Sequence, residues 1–328
     1  AAASTGASQP GTWRSNSGFG GQVNAALFGQ LFLTGGMRLE RATNVVGLSR
    51  LPMLGAAWVS GPGAVTLKLR GAYGKGIRWP QTTVRETLRE WTPHVNTDSL
   101  APEEQSGVEG GVDLVVARAL TLQVTHFDQV ARGLIQRVGV PYDTVLANGD
   151  VKRRIAYRLQ NVGVITNRGW ELQGVARHGP LALAGTLSLV DSRVQKVAQT
   201  YTGDLRAGDR MLDVPARTLS LSATWSAARW SATVGASRAK DWIYYDRLTL
   251  AELYAAGNRD MTGVMLRRYW VTYPGVTRLR AAVTSDLYYG FSLSVVGENL
   301  LDEQTGEPDN VTVLPGRTIV LALRRVFD

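Results

Sequence analysis

The stretch TLSLSATWSAARWSATVGAS, residues 218–237, alternates apolar and polar residues on both sides of a four-residue gap. Leu219, Leu221, Ala223 and Trp225 share one parity, and Thr218, Ser220, Ser222 and Thr224 the other. Beyond SAAR (226–229) the pattern resumes with Trp230, Ala232, Val234 and Ala236. A period of two places successive side chains on opposite faces of a strand, so this segment reads as a β-hairpin with one oily and one polar face.

The pattern recurs along the chain. Alternation marks thirteen candidate strands, at 16–28, 31–43, 51–60, 63–74, 105–117, 120–137, 154–177, 181–197, 212–226, 229–245, 274–289, 291–300 and 315–327. Almost no helix is expected. Many of these runs exceed the five or six residues usual in soluble sheets and match the ~9–11 that a tilted strand needs to cross a bilayer. The connections alternate in size. Tight links at Gly29-Gln30, SGPG (60–63), Arg118-Ala119, RHGP (177–180), SAAR and Gly290 are separated by longer segments at 44–50, 75–104, 138–153, 198–211, 246–273 and 301–314. Short turns at one end and long loops at the other are the arrangement of an outer-membrane barrel, whose short turns lie in the periplasm.

Composition allows this and narrows the rest. The chain has 328 residues, no cysteine and three histidines, which removes disulfides and thiolate chemistry and argues against a structural zinc site. No apolar run approaches the ~20 residues of a membrane helix, whereas alternating strands average to a hydropathy near zero. The net charge of +9 is carried mainly by scattered arginines, which fit strand ends, loops and anionic lipid headgroups better than a nucleic-acid surface. The N-terminal AAASTGASQPG has neither the basic nor the apolar region of a signal peptide, so residues 1–15 are expected to be a disordered or truncated segment, with barrel from 16 to 328 and no plug domain.

The aromatics suggest two rims. Trp225, Trp230, Tyr289, Phe291 and Phe327 lie beside short turns or at the last strand's end and are expected to form a periplasmic aromatic girdle, although Phe28 and Phe32 fall on the polar parity. On the polar parity, Lys68, Arg70, Glu171, Arg278, Arg280 and Asp286 are too many charges to bury dry, so they are expected to line a wet lumen or meet a polar plug. Trp79, Trp91, Trp242, Tyr244, Tyr245 and Trp270 cluster in or beside the long segments, among Arg78, Arg85, Arg89, Arg247, Arg267 and Arg268. Aromatic faces with cationic neighbours suit stacking on sugars, peptides or aromatic chelates, while an outer girdle touching lipopolysaccharide phosphates explains the same residues.

No catalytic constellation is legible. His126 sits on the oily parity after Leu120, Leu122 and Val124, His178 in a turn and His94 in a long segment, none in a recognisable nucleophile setting. AYGKGIRWP (72–80) has a Gly-x-Gly but leads into a loop rather than a helix, and DQVARGLIQRV (128–138) reads as a continuing strand. No enzyme activity, cofactor or metal is expected.

Four segments carry a resemblance: LAPEEQSGVEGGVDL (100–114), NVGVITNRGWELQG (161–174), VVGENLLDEQTG (295–306) and PGRTIVLALRRVF (315–327). In this order they resemble landmarks in the C-terminal half of TonB-dependent outer-membrane receptors, and the Asn-x-Gly elements of the second resemble the SusC/RagA branch. The resemblance implies a transmembrane antiparallel β-barrel of twenty-two strands, of which this chain would hold the last thirteen or so. It also implies a bacterial outer-membrane location, uptake of a nutrient such as a glycan, peptide or metal chelate, and a plug and TonB supplied by a missing N-terminal region or another chain. A SusD-like lipoprotein partner is implied too. A departure from the family is that Phe327 is followed by Asp328 rather than ending the chain. A passive porin of about fourteen strands and a barrel completed by a second polypeptide are the alternative readings.

Overall fold

A computed structural model of the chain describes residues 15–42, 47–61, 63–80, 100–117, 119–304 and 310–326. In chain order the strands are β1 (Asn16–Leu27), β2 (Leu31–Ala42), β3 (Ser49–Val59), β4 (Val65–Arg78), β5 (Glu103–Val116), β6 (Leu120–Arg132), β7 (Ile135–Val145), β8 (Val151–Asn161), β9 (Gly163–His178), β10 (Leu181–Val197), β11 (Arg217–Ser226), β12 (Trp230–Lys240), β13 (Trp242–Tyr245), β14 (Trp270–Tyr273), β15 (Thr277–Asp286), β16 (Phe291–Glu298) and β17 (Thr318–Arg325). Thirteen of them form one antiparallel sheet in the order β1-β2-β3-β4-β5-β6-β9-β10-β11-β12-β15-β16-β17. The pairs β7–β8 and β13–β14 leave that sheet as separate hairpins.

Register makes the two faces continuous. Across β10 to β17 the pairs Leu183↔Ala223, Ala223↔Val234, Val234↔Ala281, Val283↔Val295 and Val295↔Leu321 keep one apolar row. The opposite face carries Thr224↔Thr233, whose hydroxyls lie 3.0 Å apart, and Thr284↔Ser294. A one-residue slip at any junction would turn an apolar row to the polar side, so each strand pair fixes its neighbours.

The apolar row is uncovered. On β17, Ile319, Leu321 and Leu323 are 66%, 68% and 63% exposed, although each would gain about 2 kcal/mol by burial away from water. Only ten apolar side chains are buried among the described residues, and several lie where the barrel sheet meets the two hairpins. A chain of this size that leaves its apolar face out and buries little fits a lipid solvent and not an aqueous one.

Three expectations about strand extent are corrected. The runs 120–137 and 154–177 are each broken, at Gly133 and at Val162-Gly163, and the expected loop at 138–153 is the outer part of the β7–β8 hairpin. Gly133 has φ +69 and Gly163 φ +134, and the Gly133 amide donates to the Gly163 carbonyl at 2.8 Å. At Gly163 a Cβ would lie 2.1 Å from the Lys196 carbonyl oxygen, so glycine is required there by conformation and by space. Likewise 229–245 is β12 followed by β13, broken at Asp241, and the expected 246–273 loop holds a helix α1 (Arg247–Ala255), a 3-10 turn (Gly263–Tyr269) and β14. Asp246 starts α1 by accepting the Thr249 amide at 3.0 Å.

Candidate functional site

The hairpins, the segment 198–216 and α1 assemble on the long-loop end of the sheet. Their core is Val162, Ile165, Val194 and Leu205, packed by Leu134, Tyr201, Met211, Leu212 and Trp270. Asp204, only 2% exposed, ties the parts together. Its Oδ2 accepts from the Tyr245 hydroxyl at 2.8 Å and the Trp270 indole N–H at 2.7 Å, and its carbonyl accepts from Arg267 at 3.2 Å. Arg267 also grips Asp209 with both nitrogens and stacks on Trp270, its guanidinium carbon 4.5 Å from the ring centre. Burial pushes the Tyr245 phenol far above its usual range, and the Asp204 charge adds to that. For Asp209 burial acts upward, but the Arg267 guanidinium and the Arg206 amide outweigh it and hold the carboxyl below the usual range.

Beside this block lies a cleft of about 770 Å³, within the range of small-molecule sites. Arg137 and Tyr157 of β7–β8 form one wall, Met211 and Asp213 the second, and Tyr244, Arg247 and Tyr254 the third. The Arg137 guanidinium sits 4.0 Å from the Tyr157 ring centre, and Arg259 sits 3.7 Å from that of Tyr254. Desolvation at the cleft wall raises the Asp213 carboxyl above its usual value. The arrangement offers flat aromatic faces, cations held over them and one carboxylate.

The aromatic residues expected to meet ligand divide. Tyr244 lines the cleft, whereas Tyr245 and Trp270 spend their polar atoms on Asp204 and build the block beneath. Trp242 lies on β13 and Trp79 just after β4, each with its indole nitrogen buried and unpartnered. Trp91 lies outside the described residues, as do Arg85 and Arg89. Arg137, Tyr157 and Asp213 were not anticipated: the first two lie on strands read as carrying no site, and the third in a run read as strand.

The polar-face residues all fall where parity places them. Lys68 pairs in register with Asp113, Glu171 with Ser188 and Thr125, and Asp286 with Ser292. Arg70 donates to Asp113 at 3.2 Å and to Thr125 at 2.5 Å, and Lys68 stands 3.7 Å from Asp113. Arg278 and Arg280 line a second hollow of about 600 Å³ with Ser220, Ser222 and Glu298.

At the short-turn end, Trp225, Trp230 and Phe291 are on the apolar face. Trp58, not anticipated, joins them in register with Leu31. Tyr289 sits at φ +60 in the β15–β16 turn, just outside the strands, and is 88% exposed. Phe327 lies outside the described residues. His126 is on the apolar face as expected, its ring 4.6 Å from that of Trp170.

The segments that carried the resemblance act as clamps. Asn161 donates to the carbonyls of Gly133 and Ala101 and accepts the Ala101 amide, closing the hinge beneath β7–β8. Asn299 donates to the Glu303 and Pro315 carbonyls, and Asp302 accepts the Arg317 amide at 2.8 Å, so the third and fourth segments lock one loop.

Among solved structures the chain is similar to the siderophore receptor PirA from Acinetobacter baumannii, with 14% identity over 96% of this chain and 46% of that one, TM-score 0.69. It is also similar to the FrpB iron transporter (F5-1 variant) from Neisseria meningitidis, with 14% identity over 94% and 45%, TM-score 0.67. The copper transporter OprC shares 15% identity over 93% and 47%, TM-score 0.63. This chain therefore spans about half the length of the structures it matches. No curated protein sequence matches it. Residues 2–300 match the family described as TonB dependent receptor-like, beta-barrel, a family of outer-membrane transport receptors and not of enzymes. The sheet is the wall of an outer-membrane β-barrel, and the chain belongs to the TonB-dependent receptor β-barrel family.

Proposed function

We propose that this chain is the ligand-capturing barrel portion of a TonB-dependent receptor that imports an anionic, aromatic metal chelate, taken up first in the cleft between β7–β8 and β13–α1. The observation that carries this is the cleft wall: Arg137 held over Tyr157, with Tyr244, Tyr254 and Arg247 opposite and Asp213 as the one carboxylate. Stacked rings and fixed cations favour a flat, negatively charged ligand over an uncharged sugar. The similar structures named for siderophore, iron and copper transport support the same choice. A plug seated against the polar wall and energised through TonB completes the mechanism.

The test is a fluorescence-quenching titration of the detergent-solubilised receptor with a ferric tris-catecholate, a neutral oligosaccharide and a tetrapeptide. The chelate should bind tightest, and R137Q with Y157L should weaken it at least about tenfold, the scale of a desolvated cation–π contact. Tighter binding of the oligosaccharide or the peptide would overturn the chelate assignment in favour of the SusC/RagA-like reading. That reading rests on the Asn-x-Gly elements of residues 161–174 and adds a SusD-like lipoprotein lid, which co-purification with the receptor would reveal.

A further inference from the structure

The apolar face has two unlike rims, and their separation is constant. On β3, β11 and β12 a tryptophan at the short-turn end, Trp58, Trp225 or Trp230, is followed eight residues away on the same face by an arginine at the long-loop end, Arg50, Arg217 or Arg238. Eight residues of strand extend ~27 Å, or ~21 Å along the bilayer normal at a tilt near 40°. That is close to the ~25 Å apolar band of an outer-membrane barrel. The arginines therefore stand at the headgroup level of the outer leaflet.

Three cations toward this rim each have a carboxylate on the same face. Lys75 meets Glu104 at 2.8 Å, Arg168 meets Asp128 at 2.9 Å and Arg193 meets Asp191 at 2.8 Å. The corner between β11 and β12 differs. Arg217 is directly opposite Lys240 in the register, and Arg238 is two residues from Lys240 on the same face. Like charges directly opposite each other destabilise a strand pair. The nearby carboxylate is Asp241, 3.8 Å from Arg217 with both side chains well exposed, and Lys240 has no partner among the described residues. Arg238 is held in place by Thr277 Oγ1 at 2.9 Å and the Pro274 carbonyl at 3.2 Å. Three cations thus share one corner of the apolar face at membrane-interface height, with one carboxylate, Asp241, beside Arg217.

We propose that Arg217, Arg238 and Lys240 form a binding site for a phosphorylated lipid headgroup of the outer leaflet, whose phosphate relieves the cross-strand repulsion between Arg217 and Lys240. A phosphate oxygen set accepts from two guanidinium groups and an ammonium at once, and at the edge of the apolar band those bonds are shielded from water on one side. The acyl chains of the same lipid lie along Leu219, Leu221, Ala236 and Val234. The site rests on the apolar face contacting lipid, and it adds a specific headgroup to that contact.

The test is native mass spectrometry of the receptor purified from outer membranes, with bisphosphorylated lipid A, dephosphorylated lipid A and inorganic phosphate as separate probes. The wild type should retain bisphosphorylated lipid A, and R217Q/R238Q/K240Q should weaken retention at least about tenfold. R168Q, whose arginine already has Asp128, should match the wild type, and K240R should keep binding, which separates lost charge from lost folding. Equal retention of dephosphorylated lipid A, or no difference between the triple variant and R168Q, would overturn the proposal. Tight binding of inorganic phosphate alone would assign the site to a soluble anion and also overturn it. A receptor that still needs detergent while failing these tests loses the headgroup site and keeps the lipid-facing wall.

Discussion

Replacing Asp204 by alanine should loosen the whole outer block while leaving the barrel wall intact. The carboxylate is almost fully buried and accepts two side-chain hydrogen bonds, from Tyr245 and Trp270, that join β13 to β14 through the 198–216 segment. Alanine leaves both donors in partly buried positions without an acceptor, at about 1–3 kcal/mol each. The sum, about 2–6 kcal/mol, is offset in part because a buried carboxylate no longer has to be desolvated. A net local loss of about 3 kcal/mol corresponds to roughly a hundredfold rise in the open population. Asp204→Asn keeps an oxygen for the same donors and loses only the charge, so it should cost about 1 kcal/mol. The assay is amide hydrogen exchange of the detergent-solubilised receptor, read on peptides covering 198–216, 242–245 and 270–273, with peptides from β4 and β5 as the internal control. The refuting result is exchange in the outer peptides that rises less than about threefold for the alanine variant, or rises equally in β4 and β5.

Gly163→Ala should impair assembly, because a Cβ would meet the Lys196 carbonyl at 2.1 Å in a backbone with φ +134; the folded fraction on heat-modified gels measures it. Acid should loosen the outer block: the Asp209 carboxyl is held below its usual value, so its stabilisation is complete above the unfolded pKa of ~3.9 and is lost as pH falls below that and through the lower folded pKa. Arg267→Gln should flatten this pH dependence in the same exchange experiment, since Arg267 holds Asp209 with two hydrogen bonds. Arg70→Leu should destabilise the wall by about 1–3 kcal/mol in urea titrations in lipid, because Asp113, itself nearly buried, keeps only Lys68 at 3.7 Å.

The wall was legible in the sequence because its strands carry a predominant alternation of period two. Thirteen strands, six short turns and the face of every charged residue named on the polar parity follow from that rule. The outer block was not legible, since its structure depends on glycines that turn the chain and on contacts between distant segments. Asp204 is an unremarkable acid in a loop until Tyr245, 41 positions on, and Trp270, 66 positions on, are brought to it. Tyr289 shows where the rule stops: it lies in the turn beyond β15 at positive φ, where strand parity no longer assigns a face. The aromatic-arginine ladder of Trp58 and Arg50 could have been found by asking for a fixed separation on the apolar parity, a signal as simple as the alternation itself.

The most direct test of the lipid-facing wall is spin-label accessibility along β11 in reconstituted membranes, with single labels at Ser220, Leu221, Ser222 and Ala223. Labels at Leu221 and Ala223 should collide with dissolved oxygen, which concentrates in the bilayer, and be shielded from a water-soluble nickel chelate. Labels at Ser220 and Ser222 should face away from the lipid and show low oxygen accessibility. A period of two in the oxygen signal is the predicted result; equal accessibility at all four positions, or the highest oxygen signal at the serines, contradicts the account.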